Sequence, residues 1–500
     1  MPYIKQLTIL IILLVVSLVL PLNYLIHFSL DDAYFYLKIA DNISSGFGST
    51  FDQINMTNGY HPLWVLVLSI YFFLIELIVD ASPEILYRAT FVLTVVISFL
   101  SLLYIKKMVD LIKSFTKYEI DFTIYILLSV PLIYFNIIGF ELQLYILLLS
   151  IYFYLYFYDY FKFEKLFFFR SILISLVILS RIDFIVFLYP FLLSFEVFFL
   201  RKHSVPYKYI IPSLLVPLLV YLAYIAYNYL VFGSIITTSG SIEMSSEGIV
   251  LDKNLEMFLW FPYRLLLIIV IVCLAVIYFI KTRNQTLLFH QKIFVIVFIS
   301  GILFILIQGL FNHGGVKEWY YATSFFGVIL LFSTLKFSKK ANIILKSIFA
   351  LGVVVYFSFF RVIYYEFDDE YEYAKTLNEI ANPDETIFQF DHSGIISFFS
   401  DRQIINGDGL VNSFEYKNYI SKYGIKKYLD ENKIDYYSGY SYSSFPNQGK
   451  AFQEILHKSG LGTFEINFTK CDLVLMMSKN RGGKFNRVEG NWYLLKLTHE

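Results

Sequence analysis

Cysteine is nearly absent: two in 500 residues, Cys273 inside an apolar run and Cys471 near the end, too unlike in setting to pair. No zinc-binding spacing accompanies them. Charge is scarce, with 16% Asp, Glu, Lys and Arg, and it is balanced at 40 basic to 40 acidic residues. A chain without basic excess offers no electrostatic footprint for nucleic acid. What is abundant is apolar: 57% hydrophobic residues and a mean hydropathy of +0.62, far more than one soluble core could hide. The composition reads as a polytopic membrane protein.

Apolar runs of spanning length centre on residues 8–27, 88–105, 121–139, 141–160, 167–181, 184–200, 208–231, 262–280, 292–311, 320–336 and 341–360. The first follows Lys5 with no small-residue cleavage site after it, which predicts a retained span with a cytoplasmic N-terminus. A further run at 63–79 is bracketed by Asp52 and by Glu76, Asp80 and Glu84. Basic clusters at Lys106/Lys107/Lys113/Lys117, Lys162/Lys165, Arg201/Lys202, Lys281/Arg283 and Lys336/Lys339/Lys340 all become cytoplasmic only if that run does not cross. The expectation is a mainly α polytopic bundle of about eleven spans, with an outer loop at 28–87 holding an amphipathic and a membrane-dipping helix. The transmembrane domain would cover 1–361. After Arg361 the stretch "YYEFDDEYEYAKTLNEIANPDET" has helical spacing, while "TIFQF", "QIING" and "IDYYSGY" read as short strands, so 362–500 is expected to be a soluble, extracytoplasmic α/β domain.

The outer loop carries the most pointed chemistry. On a helix from Asp31 to Ser45, Ala33, Tyr36, Leu37, Ala40 and Ile43 form an apolar stripe opposite Asp31, Tyr34, Lys38, Asp41 and Asn42, the pattern of a helix lying on a membrane surface. Ser29-x-x-Asp32 fits a capping box, which gives Asp32 a structural alternative; for Asp31 the alternative is an ordinary solvated acid. Carboxylates beside hydrocarbon are functional suspects, since each costs on the order of 2.5–3.5 kcal/mol at the bilayer centre. "TNGYHPLW" then brings Asn58 and His61, with Pro62 suited to a first helical turn. Other outer turns supply Glu141 in "GFE", Arg181 and Asp183 in "SRID", and His313, Lys317, Trp319 and Tyr320 in "FNHGGVKEWYY". Arg181 with Asp183 also reads as a structural pair, Trp and Tyr as interfacial belt residues, and "NGDG" at 406–409 as a tight turn in preference to a sugar contact.

"DDAYFYLKIADNISSGFGSTFD", "TNGYHPLW", "GFE", "SRID" and "GIISFFSDRQIINGDGLVNSFEY" together resemble the GT-C superfamily of membrane glycosyltransferases, which includes protein O-mannosyltransferases, aminoarabinose transferases and arabinofuranosyltransferases. The resemblance departs at Gly407 and at Lys317–Glu318. It implies a GT-C-like fold and an inverting glycosyltransferase in a bacterial plasma membrane, with the active site outside the cytoplasm. The donor would be a polyprenyl-phosphate-linked sugar and the acceptor a glycan, lipid or protein. It carries the base onto Asp31, a supporting role onto Asp32, the second-loop acid onto Glu141 and the His-Pro element onto His61, and leaves open a divalent Mg or Mn at Asp32 and Glu141. Tyr34, Lys38, Asn58, Arg181, Asp183, His313, Lys317, Trp319 and Tyr320 join them as candidate substrate contacts, and charge points to one of Arg181, His313 and Lys317 as the partner of the donor phosphate. Two other classes compete: a glycolipid transporter or flippase, for which Glu196 and Gln308 are the polar candidates, and a non-catalytic glycan-binding membrane scaffold.

Overall fold

The computed structural model describes residues 10–116, 139–244, 248–283, 287–351, 368–441, 452–481 and 488–499, apart from scattered positions within 12–16, 252–261 and 333–350 and residues 459 and 470. The predicted span at 121–139 and most of the one at 341–360 lie outside the described residues; the first, 8–27, is described in part.

The main elements in chain order are α1 (Asp31–Ser44), α2 (Pro62–Glu76), α3 (Pro83–Thr116), α4 (Leu142–Lys162), α5 (Phe167–Ser180), α6 (Ile185–Lys202), α7 (Tyr207–Phe232), α8 (Pro262–Thr282), α9 (Phe289–Phe311) and α10 (Ala322–Phe332). The C-terminal region follows: α11 (Asp368–Ile380), β1 (Thr386–Gln389), α12 (Ser393–Phe399), β2 (Gln403–Asn406), α13 (Phe414–Tyr423), α14 (Ile425–Glu431) and β3 (Tyr436–Ser441), then β4 (Phe452–Lys458), β5 (Gly462–Phe468), β6 (Cys471–Arg481) and β7 (Val488–Leu497). The protein is mainly helical, with an α/β region at its C-terminal end.

Among the described residues, five helices are long and apolar enough to cross a membrane: Pro83–Ser114, Leu142–Lys162, Ile182–Lys202, Leu214–Phe232 and Phe289–Phe311. Pro62–Glu76, Phe167–Ser180, Leu267–Thr282 and Trp319–Phe332 are apolar but shorter. Helix α2, with 15 residues, extends about 22 Å at 1.5 Å per residue, short of the roughly 30 Å hydrocarbon core.

Contacts divide the chain into two compact units, with boundaries inside α3 and α7: residues 1–10, 93–225 and 245–356 form the first, residues 11–92, 226–244 and 357–500 the second.

In the first unit, α4, α5 and α6 are joined by a buried ion cluster. Arg170 on α5 grips Glu196 on α6 through Nε–Oε1 at 2.9 Å and Nη2–Oε2 at 2.8 Å, and pairs with Asp159 on α4. The Tyr152 hydroxyl donates to Glu196 Oε1 at 3.0 Å. Asp159 also accepts the Leu166 N–H at 3.0 Å, at the entry to α5. Helices α9 and α10 approach where glycine removes a side chain: a Cβ on Gly301 would stand 2.4 Å from Ser324 N, and one on Gly327 would stand 2.7 Å from Phe298 Cα. Small residues at such crossings are what let apolar helices pack through dispersion alone.

In the second unit a five-stranded sheet runs in the order β2-β1-β3-β7-β6, with β1 parallel to β2 and β3 and the rest antiparallel. Its core gathers Phe388, Ile405, Tyr437, Tyr493 and Leu495 with Ile420 and Leu429 from α13 and α14, and Phe452, Phe464, Ile466 and Phe468 from the β4–β5 hairpin. The three strands read from the sequence are β1, β2 and β3. The four others, β4 to β7, were not read from the sequence, although in β5 Phe464, Ile466 and Phe468 alternate with Glu465 and Asn467.

Two expectations for α1 need correction. The helix is not a one-faced amphipath on a surface: Tyr34, Lys38 and Asn42, assigned to its polar side, are buried along with Ala33, Leu37 and Ala40. The reason is that α1 has neighbours on two sides, α2 and α12. Nor is there a capping box, since Leu30 is the N-cap and makes no side-chain cap bond. The Ser29 hydroxyl instead meets the Tyr87 hydroxyl at 2.8 Å, and both aspartates sit in the first turn, where the helix dipole favours negative charge.

Removing the Arg170 cation would leave two carboxylates buried without their counter-charge, a loss of about 3–5 kcal/mol. Arg170→Leu is therefore expected to lower the unfolding temperature of the purified full-length protein markedly. An unchanged transition would show that the cluster does not hold the helices.

Candidate functional site

The candidate residues separate into two groups, one in each unit. In the second unit, Asp31 opens α1 with part of its surface exposed. Its carboxylate accepts the Ile395 N–H through Oδ1 at 2.8 Å and the Gly394 N–H through Oδ2 at 3.3 Å. These are the first amides of α12, which have no partner within their own helix. Burial pushes the Asp31 carboxyl up to about 7, against the opposing pull of His392 and the Ile395 N–H. Asp32 and Asp391 reinforce the rise by like-charge repulsion.

The surroundings of Asp31 come largely from the C-terminal region. His392 Nδ1 lies 3.3 Å from the buried Glu370 carboxylate, and the imidazole packs edge-on against Trp492 with centroids 6.0 Å apart. His392 holds a left-handed backbone at φ 55°. A Cβ on Gly394 would stand 2.4 Å from the Asp31 carbonyl oxygen and 2.9 Å from Oδ1. Sequence reasoning missed Glu370, His392 and Gly394, which lie more than 300 positions from Asp31; only "GIISFF", already noted for its resemblance, pointed to the region.

Tyr34 is fully buried, stacked on Tyr87 with centroids 5.6 Å apart. Lys38, also buried, faces Asp41 and Asp401, and desolvation lowers its pKa. Asn58 ties the loop to a distant segment: Oδ1 accepts from the Thr238 N–H at 2.9 Å and hydroxyl at 2.8 Å, and Nδ2 donates to the Ile236 carbonyl at 3.2 Å. His61 is the N-cap of α2, its ring stacked on Tyr36 at 6.4 Å. The glycine-rich stretch between α1 and α2 is built by internal turns. Gly46 and Gly48 have positive φ, and Asp52 Oδ1 accepts the N–H groups of Ile54 and Asn55 at 3.0 and 2.7 Å.

In "NGDG" the two side chains combine a turn contact with longer-range anchors. Asn406 Nδ2 donates to Ser393 Oγ at 2.7 Å, Asp408 Oδ1 accepts the Leu410 N–H at 3.1 Å, and Lys458 pairs with Asp408 Oδ2 at 2.6 Å. The departure at Gly407 has a local cause: a Cβ there would stand 2.5 Å from the Phe388 ring.

In the first unit, Glu141, Arg181 and Asp183 form a buried knot. Arg181 Nη1 donates to Glu141 Oε1 at 2.7 Å, and its Nε and Nη2 reach the two Asp183 oxygens at 2.8 Å each, a bidentate fork. The guanidinium lies 5.7 Å from the Tyr320 ring centroid. Tyr320 accepts from Asn312 Nδ2 at 3.0 Å and adjoins Trp319, whose ring sits 5.1 Å from Phe140. Lys317 stands over Trp319 at 5.2 Å, and His313 lies in the turn after α9. Three sequence-remote segments, 140–141, 181–183 and 317–320, thus converge. Two carboxylates thus share one guanidinium.

Asp32 and Glu141 belong to different units, and a cation at Glu141 would meet the Arg181 guanidinium. Among the described residues no group of three or more His, Cys, Asp or Glu side chains is arranged to hold a metal ion. The chemistry below is argued from side chains alone.

No protein-family model matches the chain, and no curated protein matches it.

Asn58→Ala would strand the Thr238 donors. A loss of about 1–3 kcal/mol is expected, with faster amide exchange in the 236–241 peptide. Unchanged exchange there, together with weakened sugar binding, would instead make Asn58 a ligand contact.

Proposed function

We propose that the protein is an inverting membrane glycosyltransferase that takes a sugar from a polyprenyl-phosphate donor to an acceptor hydroxyl outside the cytoplasm of a bacterial cell, with Asp31 as general base. The observation that carries the reading is Asp31 itself: a half-buried residue whose carboxylate is fixed by two amides and whose affinity for a proton burial raises to near neutrality. A base matched to the working pH is most effective in proton transfer. An ionised carboxylate has about four lone-pair sites, so two remain for an incoming hydroxyl.

In the proposed step the acceptor O–H proton passes to Asp31 as the acceptor oxygen bonds to the anomeric carbon. The bond from that carbon to the phosphate oxygen breaks, and prenyl phosphate leaves with the electron pair. Attack opposite the leaving group inverts the centre. The membrane-crossing helices supply the setting in which a prenyl carrier is soluble.

The same contacts favour a second reading, in which Asp31 is only a clamp on α12 and the protein is a non-catalytic scaffold. Of the polar residues named for a transporter, Glu196 pairs with Arg170, and Gln308 Oε1 accepts from Asn312 at 2.8 Å.

Asp31→Asn separates the first two. Released prenyl phosphate, measured in membranes given prenyl-phosphate hexoses and pentoses, should fall at least 100-fold while the protein stays folded; full turnover by the variant would exclude Asp31 as base. Since the folded carboxyl is raised from 3.8 to about 7, the free base appears as pH rises through that value. Turnover by the wild type is therefore expected to climb between pH 6 and 8 in an arm centred near 7. An activity flat across this range would contradict the assignment.

A further inference from the structure

We propose that the Asp391–Ile395 segment of the C-terminal α/β region is a positioning element of the catalytic centre, holding Asp31 in the orientation in which it takes the acceptor's proton. The inference rests on the reading of Asp31 as base and extends it: the C-terminal region is part of the reaction centre and not an appended binding module.

Four observations carry it. The amides of Gly394 and Ile395 reach different oxygens of the one carboxylate, which fixes the plane of the group as well as its place. Position 394 admits no side chain, because Asp31 backbone and carboxylate atoms occupy the space where a Cβ would go. His392 is held in a left-handed backbone conformation that is unfavourable for a non-glycine residue, between the Glu370 carboxylate and the Trp492 ring. Asn406, at the end of β2, anchors Ser393 through a 2.7 Å hydrogen bond, so the sheet sets where the two amides point. Each of these residues acts on Asp31 or on its holder, and none needs to touch substrate. A displacement of about 1 Å at a base can lower a rate by about 100-fold.

The test uses the full-length protein in membranes, with His392→Gln, Gly394→Ala and Asp31→Ala beside the wild type. Turnover of prenyl-phosphate hexoses and pentoses gives kcat and KM for the donor. Amide exchange, followed by mass spectrometry, reports residues 392–396 and, as a check on folding, β1 and β3. In Asp31→Ala the 392–396 amides are expected to exchange at least 10-fold faster while β1 and β3 stay protected. In His392→Gln and Gly394→Ala, kcat is expected to fall at least 10-fold with KM changed less than twofold. If Gly394→Ala loses protection in β1 and β3, His392→Gln decides. Unchanged exchange in Asp31→Ala would overturn the contact, and an unchanged kcat in the folded variants would overturn the positioning role. A wild type that turns over no donor would overturn the reading of Asp31 as base, and positioning with it, while the exchange result still reports whether the clamp exists.

Discussion

Two hydrogen bonds join the Asp31 carboxylate to amides 363 and 364 positions further along the chain, and the second compact unit is organised around that meeting. A desolvated carboxylate needs donors, and the opening amides of a helix need acceptors; each removes the other's cost. Once the first turn of α1 lies on the first turn of α12, the rest of the contact follows. Tyr34 packs between Tyr87 and the Phe398 and Phe399 rings. Gly59 lets the loop backbone pass so close to Leu410 that a Cβ would stand 2.1 Å from its carbonyl oxygen. Gln403 donates to the Asp52 carbonyl at 2.9 Å, and Lys417 reaches the Ser241 hydroxyl at 2.7 Å. The loop before the first long helix and the C-terminal sheet therefore share one core.

The first unit solves a different problem with the same physics. Ionisable groups among apolar helices are tolerated only where each charge finds a partner. Arg170 serves Asp159 and Glu196, and Arg181 serves Glu141 and Asp183. Each arginine joins segments remote in sequence, so charge pairing supplies geometric specificity where the apolar surfaces are alike. Where no charge intervenes, as between α9 and α10, glycine lets the backbones meet.

How much of this was legible varies with the kind of signal. Helix α2 could be placed from Pro62 and the acids at its end, and β1, β2 and β3 from short runs bounded by turn residues. The turn at 406–409 followed from Asn-Gly and Asp-Gly chemistry. Arg181 with Asp183 was readable as a local pair because two positions separate them, but the arrival of Glu141 on the same guanidinium was not. The role of Asn58 was not readable either, since its partners lie 178 and 180 positions away.

Composition and apolar run length determined that this is a mainly helical protein with segments able to cross a membrane, because the cost of exposing or burying side chains is summed along the chain and needs no knowledge of contacts. Local spacing likewise determined the α/β character of the C-terminal region and drew attention to Asp31. What surrounds Asp31 was decided only by tertiary structure: that α1 is buried on two sides, that its leading carboxylate meets the amides of α12, and that His392, Glu370 and Trp492 stand behind them. Helical periodicity shows which residues share a face but not how many faces find a neighbour, and the proton affinity of a carboxylate depends on those neighbours.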